Sequence, residues 1–350
     1  KAIEHNIFTP GNYFYNGVGH VTVKYEEVLA IGYKGIIDKA RAELEKCQVG
    51  DGNYAKKSHF LNAVIVSCQA VIEYAERYAE LASQMAAECT DPVRKQELLQ
   101  ISENCSRVPA NGATSFYEAC QSFWFVQQLL QVESSGHSIS PGRFDQYMYP
   151  YYKKSVKEDK EITREQALEL LECFFVKTAE WTQLYDYNSA SVQVAFPITQ
   201  NLLIGGQTKE GTDACNEVTM LCLEAEEQVG LIQPEIAMRI WKGTPTKYLR
   251  KAAEVVRLGR GKPKFYGDSK AIEMMHHAYP DMSLEDLRDY AVIGCVEISM
   301  PHITQQHSAS GIFNIGKILD LTLHNGKCSM CGTQLGPETG DPRNFKTMDE

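Results

Sequence analysis

The sequence predicts an α/β fold, because long segments with helical periodicity alternate with short apolar runs bounded by glycine. The 350 residues are 43% hydrophobic and 23% charged, which is typical of a globular chain with a large buried core. Alternating strands, loops and helices predict a sheet or barrel with helices outside and a site built from loops at the strand ends. No repeat, low-complexity tract or flexible linker divides the sequence, so one domain, or part of one, is expected.

Six segments carry the helical periodicity, and two of them have clear starting signals. Thr163 can cap a helix whose third residue, Gln166, completes a capping box. Thr244 can cap a second helix that has Pro245 at its first position. The predicted helices are 25–47, 55–88, 114–132, 163–187, 212–229 and 245–258.

The predicted strands are 201–204, 235–240, 263–266 and 290–293. Cys295 directly follows the last of them. Read as one buried strand, Tyr290 to Glu297 delivers a thiol and, two residues later, a carboxylate, so both side chains can face one cavity. Taken alone, a single cysteine after an apolar strand is more often an inert core residue.

Charge and cysteine usage narrow the class of function. A net charge of −10 and a pI near 5.5 argue against nucleic acid and anionic membranes as partners and favour a small-molecule substrate. Eleven irregularly spaced cysteines indicate reduced thiols and a cytoplasmic location. No apolar stretch approaches the roughly 20 residues that a membrane span needs. The first residues lack an initiator Met and the last lack a closing cap, so we expect truncation at both ends.

Several blocks of sequence resemble the glycyl radical enzymes, a family that includes pyruvate formate-lyase. Gly294-Cys295-Val296-Glu297, followed by residues 313–326, is similar to the family's cysteine loop and the helix after it. Further blocks occur in the family's order between Asn12 and Asn325. The Cys-x-Glu pattern resembles the branch of glycerol and diol dehydratases. These further blocks are residues 142–150, 201–207, 213–217 and 233–239.

The resemblance implies a ten-stranded β/α barrel of two five-stranded half-barrels, of which this chain is an incomplete, helix-rich portion. It implies a thiyl-radical cysteine on one loop and a glycyl radical on another, installed by a radical-SAM activase, with no metal in this chain. No Arg-Val-(Ser/Ala)-Gly-Tyr motif occurs in the sequence. Residues 1–350 are therefore expected to be a partial pyruvate formate-lyase-like domain without the C-terminal glycyl radical domain, from a homodimeric, anaerobic enzyme.

The same resemblance implies roles for the residues around the cysteine. Cys295 takes hydrogen from a substrate carbon, Glu297 removes the hydroxyl proton, and His137 delivers a proton to the leaving group. His20 and Ser138 match substrate-contact positions of the diol dehydratase branch. Independently of the resemblance, Phe196 and Gln200, which precede the strand at 201–204, could line the substrate cavity. From the residues alone, Glu297 could instead bond loop amides, and each histidine could be capped or solvated.

The sequence departs from the diol dehydratases at residues 307–310, where their Trp-His-Asp-Ala stretch is replaced. The hydroxyl-binding Asp becomes Ala309, beside Ser308, so glycerol and propanediol are not expected as substrates. The predicted activity is elimination of water or another group from a small hydroxylated or aminated metabolite. Alternatives are an arylacetate-type decarboxylase, which also carries Cys-x-Glu, and a non-catalytic barrel that serves as a scaffold.

One further motif is the pair of cysteines in Cys328-Ser-Met-Cys331. Its spacing is that of half a zinc site or of a redox dithiol, but no second ligand pair follows. A structural turn is the favoured interpretation.

Overall fold

The computed structural model describes residues 2–10, 20–133, 138–182, 198–301, 303 and 311–347. The chain divides into a smaller unit, residues 1–19 with 306–350, and a larger unit, residues 20–305. No helix among the described residues has the length and apolar character needed to cross a membrane.

The elements are labelled here in chain order. The helices are α1 Tyr25–Glu45, α2 Tyr54–Glu88, α3 Pro92–Arg107, α4 Phe116–Glu133, α5 Phe144–Tyr152, α6 Arg164–Ala179, α7 Glu217–Val229, α8 Thr246–Val256, α9 Asp268–Ala278, α10 Leu284–Arg288 and α11 Ile315–Leu323; a π-helix, Lys153–Glu158, follows α5. The strands are β1 Phe8–Pro10, β2 Gly142–Arg143, β3 Asn201–Gly205, β4 Glu235–Ile240, β5 Lys264–Gly267, β6 Ala291–Ile293, β7 Glu297–Ser299 and β8 Gly311–Phe313.

A four-stranded parallel sheet organises the larger unit, in the order β2-β3-β4-β5. Alternate residues face opposite sides of each strand. Leu202 and Ile236 pack in the main core with the helices, whereas Leu203 and Ala237 pack on the other face, against the chain around β6. We call this second face the inner face of the sheet.

The chain crosses the inner face as an antiparallel hairpin of β6 and β7, in which Ile293 pairs with Glu297. At the start of β6, Arg239 near the end of β4 donates to the Tyr290 carbonyl at 3.1 Å. At its end, the side-chain amide of Asn201, the first residue of β3, donates to the Gly294 carbonyl. We call the side of the sheet where its parallel strands begin the amino edge, and the side where they end the carboxyl edge. The hairpin therefore runs from the carboxyl edge to the amino edge, with Cys295 at its tip.

A buried ion pair fixes the carboxyl-edge end of this hairpin. The Arg239 guanidinium contacts both oxygens of Asp268, at 2.8 and 3.0 Å, and both side chains are fully buried. The Tyr290 hydroxyl donates to the same carboxylate at 2.8 Å, and the guanidinium lies 3.9 Å from the centre of the Tyr290 ring. A buried charge pair whose groups are all hydrogen-bonded holds one geometry, so β6 starts from a fixed point.

The structure has a helix in each of the six predicted segments and a strand at each of the four predicted positions. The Thr163–Gln166 capping box is present as predicted. The predicted Thr244 cap is wrong: α8 begins at Thr246, and the Thr244 hydroxyl instead accepts from the Trp241 amide at 3.0 Å. Helices α3, α5, α9 and α10 were not predicted.

In the smaller unit, β1 pairs antiparallel with β8, and the rings of Phe8 and Phe313 lie 5.0 Å apart. Asn314 caps α11 by accepting from the Lys317 amide at 2.9 Å. After α11, a turn closes through a bridge between Lys327 and Gln334.

Candidate active site at the tip of the β6–β7 hairpin

Gly294 begins the turn that presents Cys295, and it has a positive φ of 56°. A Cβ atom at this position would overlap the His20 ring and the Glu297 carboxylate. Only glycine avoids both the backbone strain and this overlap. The glycine therefore allows a histidine and a carboxylate to close over the turn.

Glu297 is held in its ionised form by two hydrogen-bond partners. Its Oε1 lies 2.8 Å from His20 Nδ1, and its Oε2 accepts from the Val296 amide at 3.0 Å. Burial alone raises the pKa of Glu297, but the bonds to His20 and to the Val296 N–H outweigh it and lower the pKa to about 2. The carboxylate is therefore charged at neutral pH and is oriented by its partners.

His20 reaches this position because its segment pairs with the residues before β2. Val21 forms a parallel bridge with Ile139, and its carbonyl accepts from the Ser140 amide at 2.8 Å. The Ser140 hydroxyl accepts in turn from the backbone amide of Asn201 at 3.3 Å. Ser138, whose φ is 53°, is buried in the same short pairing. The structure thus brings His20, Ser138 and Glu297 to one edge of the sheet.

The surroundings of the Cys295 thiol disfavour its thiolate form, unlike those of an activated nucleophile. Partial burial, followed by the negative charge of Glu297, raises the pKa of Cys295, although a hydrogen bond with the Thr199 side chain counteracts part of this shift. The thiol therefore keeps its hydrogen at neutral pH. A protonated thiol is a poor nucleophile, since the thiolate is the attacking species.

Cys295 is exposed in the described part of the chain, and the Lys264 ammonium donates to its carbonyl at 3.3 Å. The expectation that Cys295 and Glu297 share one continuous strand is wrong, because a turn separates β6 from β7. The hairpin turn, and not the period-two alternation of a strand, brings the two residues near each other.

The sequence interpretation missed the polar residues at the amino edge of the inner face. Lys264 forms an ion pair with Glu235, and Tyr266 follows two residues later on β5. Burial, followed by the charges of Glu235, Glu297 and Cys295, raises the pKa of Tyr266 to about 12. The Asn201 side-chain oxygen is buried and has no hydrogen-bond partner among the described residues. The available signal was the polar residue at the first position of β3, β4 and β5.

The other candidate site residues have separate outcomes. His137, Phe196, Ser308 and Ala309 lie outside the described residues, so their roles stay predictions. Gln200, considered as a cavity-lining residue, is fully buried and accepts from Gln127 at 2.8 Å. Nowhere in the described part of the chain do three His, Cys, Asp or Glu side chains gather as a metal site.

The fold and the site together define a β/α barrel protein with a cysteine–carboxylate hairpin laid across its parallel sheet. The model of the pyruvate formate lyase-like family matches residues 1–350, so this chain belongs to that family. The predicted family and fold class are therefore confirmed.

Similar proteins include dehydratases. The (2S)-3-sulfopropanediol dehydratase of Klebsiella oxytoca is 36% identical over all of this chain. A solved structure on 1,2-propanediol dehydration in Roseburia inulinivorans is 46% identical, with a TM-score of 0.93 over 99% of this chain. The glycerol-bound B12-independent glycerol dehydratase from Clostridium butyricum is 44% identical, with a TM-score of 0.92 over 99% of this chain. The chain spans 42–43% of the length of these relatives.

Proposed function

We propose that the protein containing this chain is a glycyl radical enzyme of the eliminating type, a lyase in which Cys295 is the hydrogen-abstracting residue. One observation carries the proposal: a protonated thiol and an ionised carboxylate share one hairpin turn, with pKa values shifted in opposite directions. Two groups whose environments separate their pKa values in this way are suited to different steps of one reaction.

The thiol is suited to moving hydrogen atoms. S–H and aliphatic C–H bonds are similar in strength, so a sulfur atom can take hydrogen from carbon and later return it. A glycyl radical on another segment of the protein would supply the sulfur radical by taking the thiol hydrogen of Cys295. The described residues fit this role, because Cys295 is exposed at the hairpin tip and a backbone segment can approach it.

The reaction then follows from the two groups. The Cys295 sulfur takes a hydrogen atom from the hydroxyl-bearing carbon of the substrate, and Glu297 accepts the hydroxyl proton. The electron-rich carbon then expels the group on the neighbouring carbon, and a leaving hydroxyl takes up a proton and departs as water. The carbon radical that remains takes the hydrogen atom back from the Cys295 S–H, and the product is an aldehyde. With its low pKa Glu297 is a weak base, but it suffices because a hydroxyl on a radical carbon is far more acidic than an ordinary alcohol.

The remaining residues would support these steps. His20 positions the Glu297 carboxylate through its Nδ1 contact. We propose His137 as the proton donor to the leaving group, and Ser138, Phe196, Ser308 and Ala309 as substrate contacts. The relatives' activities support a small hydroxylated substrate, whereas Ala309 in place of the dehydratase Asp favours a molecule other than glycerol or propanediol. We further propose a radical-SAM activase as partner, a homodimer, a cytoplasmic location, and a radical glycine in a C-terminal domain beyond this chain.

A substrate panel tests the reaction class. The full-length protein is activated without oxygen, the radical is measured by electron spin resonance, and vicinal diols, a sulfonated diol, an amino alcohol and arylacetates are supplied. We expect an organic radical signal and an aldehyde from at least one hydroxylated compound. If arylacetates gave carbon dioxide and no alcohol gave an aldehyde, the protein would be a decarboxylase and not an eliminating enzyme. Absence of a radical signal after activase treatment would indicate a scaffold.

A further inference from the structure

The turn after α11 places two cysteines side by side. The Cys328 amide donates to the Thr333 carbonyl at 2.9 Å, and the Cys328 carbonyl accepts from the Gly332 amide at 2.8 Å. Cys328 is almost fully covered, whereas Cys331 is exposed. The turn thus holds a fixed pair of thiols, of which one faces solvent.

A lysine from α11 contacts the covered sulfur. Lys317 Nζ donates to Cys328 Sγ at 2.5 Å, and its side chain is only 13% exposed. Asp320, one helical turn further along α11, accepts from the Ser329 amide at 3.1 Å and lies 3.9 Å from the Lys317 ammonium. Its other neighbour is His324, at 3.2 Å. These contacts hold the ammonium against the sulfur and fasten the turn to the helix.

The contacts favour a thiolate at this position. The Lys317 ammonium, followed by the amides of Cys331 and Met330 and by the Cys331 thiol, lowers the pKa of Cys328 to about 7. Near neutral pH Cys328 is therefore a thiolate in part of the molecules. That thiolate can accept the proton of the Cys331 thiol beside it.

We propose that Cys328 and Cys331 form a redox-active dithiol that exchanges with low-molecular-weight disulfides. A metal half-site fits less well, because the lysine ammonium already lies against the sulfur and the described residues offer no third His, Cys, Asp or Glu ligand here. This assignment is independent of the elimination chemistry proposed above.

The exchange balances as two displacements. The exposed Cys331 passes its proton to the Cys328 sulfur and, as a thiolate, attacks a disulfide RSSR, forming a mixed disulfide and releasing RS⁻. Cys328 then gives its proton to the released RS⁻, attacks the Cys331 sulfur as a thiolate, forms the Cys328–Cys331 disulfide and releases the second RS⁻. Two protein thiols are oxidised and one RSSR is reduced to two thiols. The oxidised turn has no thiolate to accept from Lys317, so this contact between α11 and the turn is lost, whereas the bond from the Ser329 amide to Asp320 remains.

A mass-spectrometric experiment on the full-length protein tests the proposal. Glutathione disulfide is added without oxygen at several pH values, the remaining thiols are alkylated, and the protein is digested with trypsin. Cleavage after Lys327 and Arg343 releases residues 328–343, which contain these two cysteines and no other. We expect this peptide to lose two hydrogens and to regain both alkylation sites after reduction. The midpoint of the rate against pH should lie near 7.

Two variants at position 317 provide the matched comparison. Lys317→Gln removes the charge, so the pH midpoint should rise and the rate at pH 7 should fall roughly threefold or more. Lys317→Arg keeps the charge and should retain most of the rate. Circular dichroism of both variants checks that the fold is intact. The internal reference is Cys173, an exposed thiol whose pKa is raised by burial and by Glu169 and Glu172.

Three outcomes would overturn the assignment. The first is single glutathione adducts on residues 328–343 without an internal disulfide. The second is that the Cys328–Cys331 disulfide forms no faster than the glutathione adduct at Cys173. The third is identical pH midpoints for Lys317→Gln and the unmodified protein. None of these measurements requires activated enzyme, so the result is independent of the proposed elimination.

Discussion

Cys295 and Cys328 both lie in tight turns, yet their surroundings push the two thiols in opposite directions. Cys295 lies beside the carboxylate of Glu297, and its pKa is raised by burial and by that charge. Cys328 lies against the ammonium of Lys317, which lowers its pKa to about 7. The sign of the nearest charge therefore explains why Cys295 keeps its hydrogen and why Cys328 readily becomes a thiolate. The first suits hydrogen-atom transfer, and the second suits thiol–disulfide exchange.

Replacing the thiol of Cys295 tests the comparison between the two cysteines most severely. Cys295→Ala in the activated full-length protein should lower kcat by roughly 10⁴-fold or more, because no other group can carry the hydrogen atom. Cys173→Ala removes an exposed thiol on α6 and should leave turnover unchanged. The measurement is product formation at equal radical content. Undiminished turnover in Cys295→Ala would end the assignment of this residue.

Removing the carboxylate beside Cys295 should have the next largest effect. Glu297→Gln keeps the shape of the side chain but cannot accept the hydroxyl proton, and general-base steps contribute about 10²- to 10⁴-fold. We therefore expect a loss of that size in kcat with an unchanged radical signal. Full activity would show that Glu297 only bonds its neighbours in the turn.

The two thiols should also differ in their reactivity with an alkylating reagent across pH. Half-maximal alkylation in the 328–343 peptide should fall near pH 7, whereas that of Cys295 should lie above the ordinary range for cysteine, about 8.5. In Glu297→Gln the midpoint of Cys295 should move down, since a negative charge has been removed, and that of Cys328 should not move. Equal midpoints for the two thiols would contradict the comparison.

The smallest expected effect concerns His20 and the acidic limb of the rate profile. In the unmodified protein the pKa of Glu297 is about 2, so its ionisation should leave no inflection between pH 5 and 7. His20→Ala removes the largest lowering contribution and leaves the raising effect of burial opposed only by backbone N–H groups, so the pKa of Glu297 should rise. The carboxylate then takes up a proton as the pH falls, and kcat/KM should decline at the acidic end. A His20→Ala profile parallel to that of the unmodified protein would argue against this role.

Much of the fold followed from local sequence. Periodicity placed six helices and four strands, and the Thr163 capping box was read correctly because it involves only residues three apart. The start of α3, which was not predicted, also has a local signal, since Asp91 precedes Pro92 and accepts from the Val93 amide. By contrast, α8 begins two residues beyond Thr244, because that hydroxyl bonds the Trp241 amide instead.

The candidate site was predictable only in part. Gly294, Cys295 and Glu297 could be named from their order in the chain and from the family resemblance. Their arrangement in a hairpin turn could not, because an apolar run before a glycine does not distinguish a strand of a parallel sheet from the first arm of a hairpin. The amino-edge residues Asn201 and Lys264 were missed for a similar reason, since only the sheet register aligns the first residues of separate strands.

The sequence by itself determined the elements, the thiol and the carboxylate, because capping, periodicity and residue chemistry act over a few neighbouring positions. The tertiary structure alone decided which residue holds Glu297 ionised beside Cys295 and which charge lies against Cys328. His20 is 277 residues from Glu297, and Lys317 is 11 residues from Cys328 across a helix and a turn. Electrostatic interactions depend on distance in space and on solvent exposure, neither of which is written in the order of the residues.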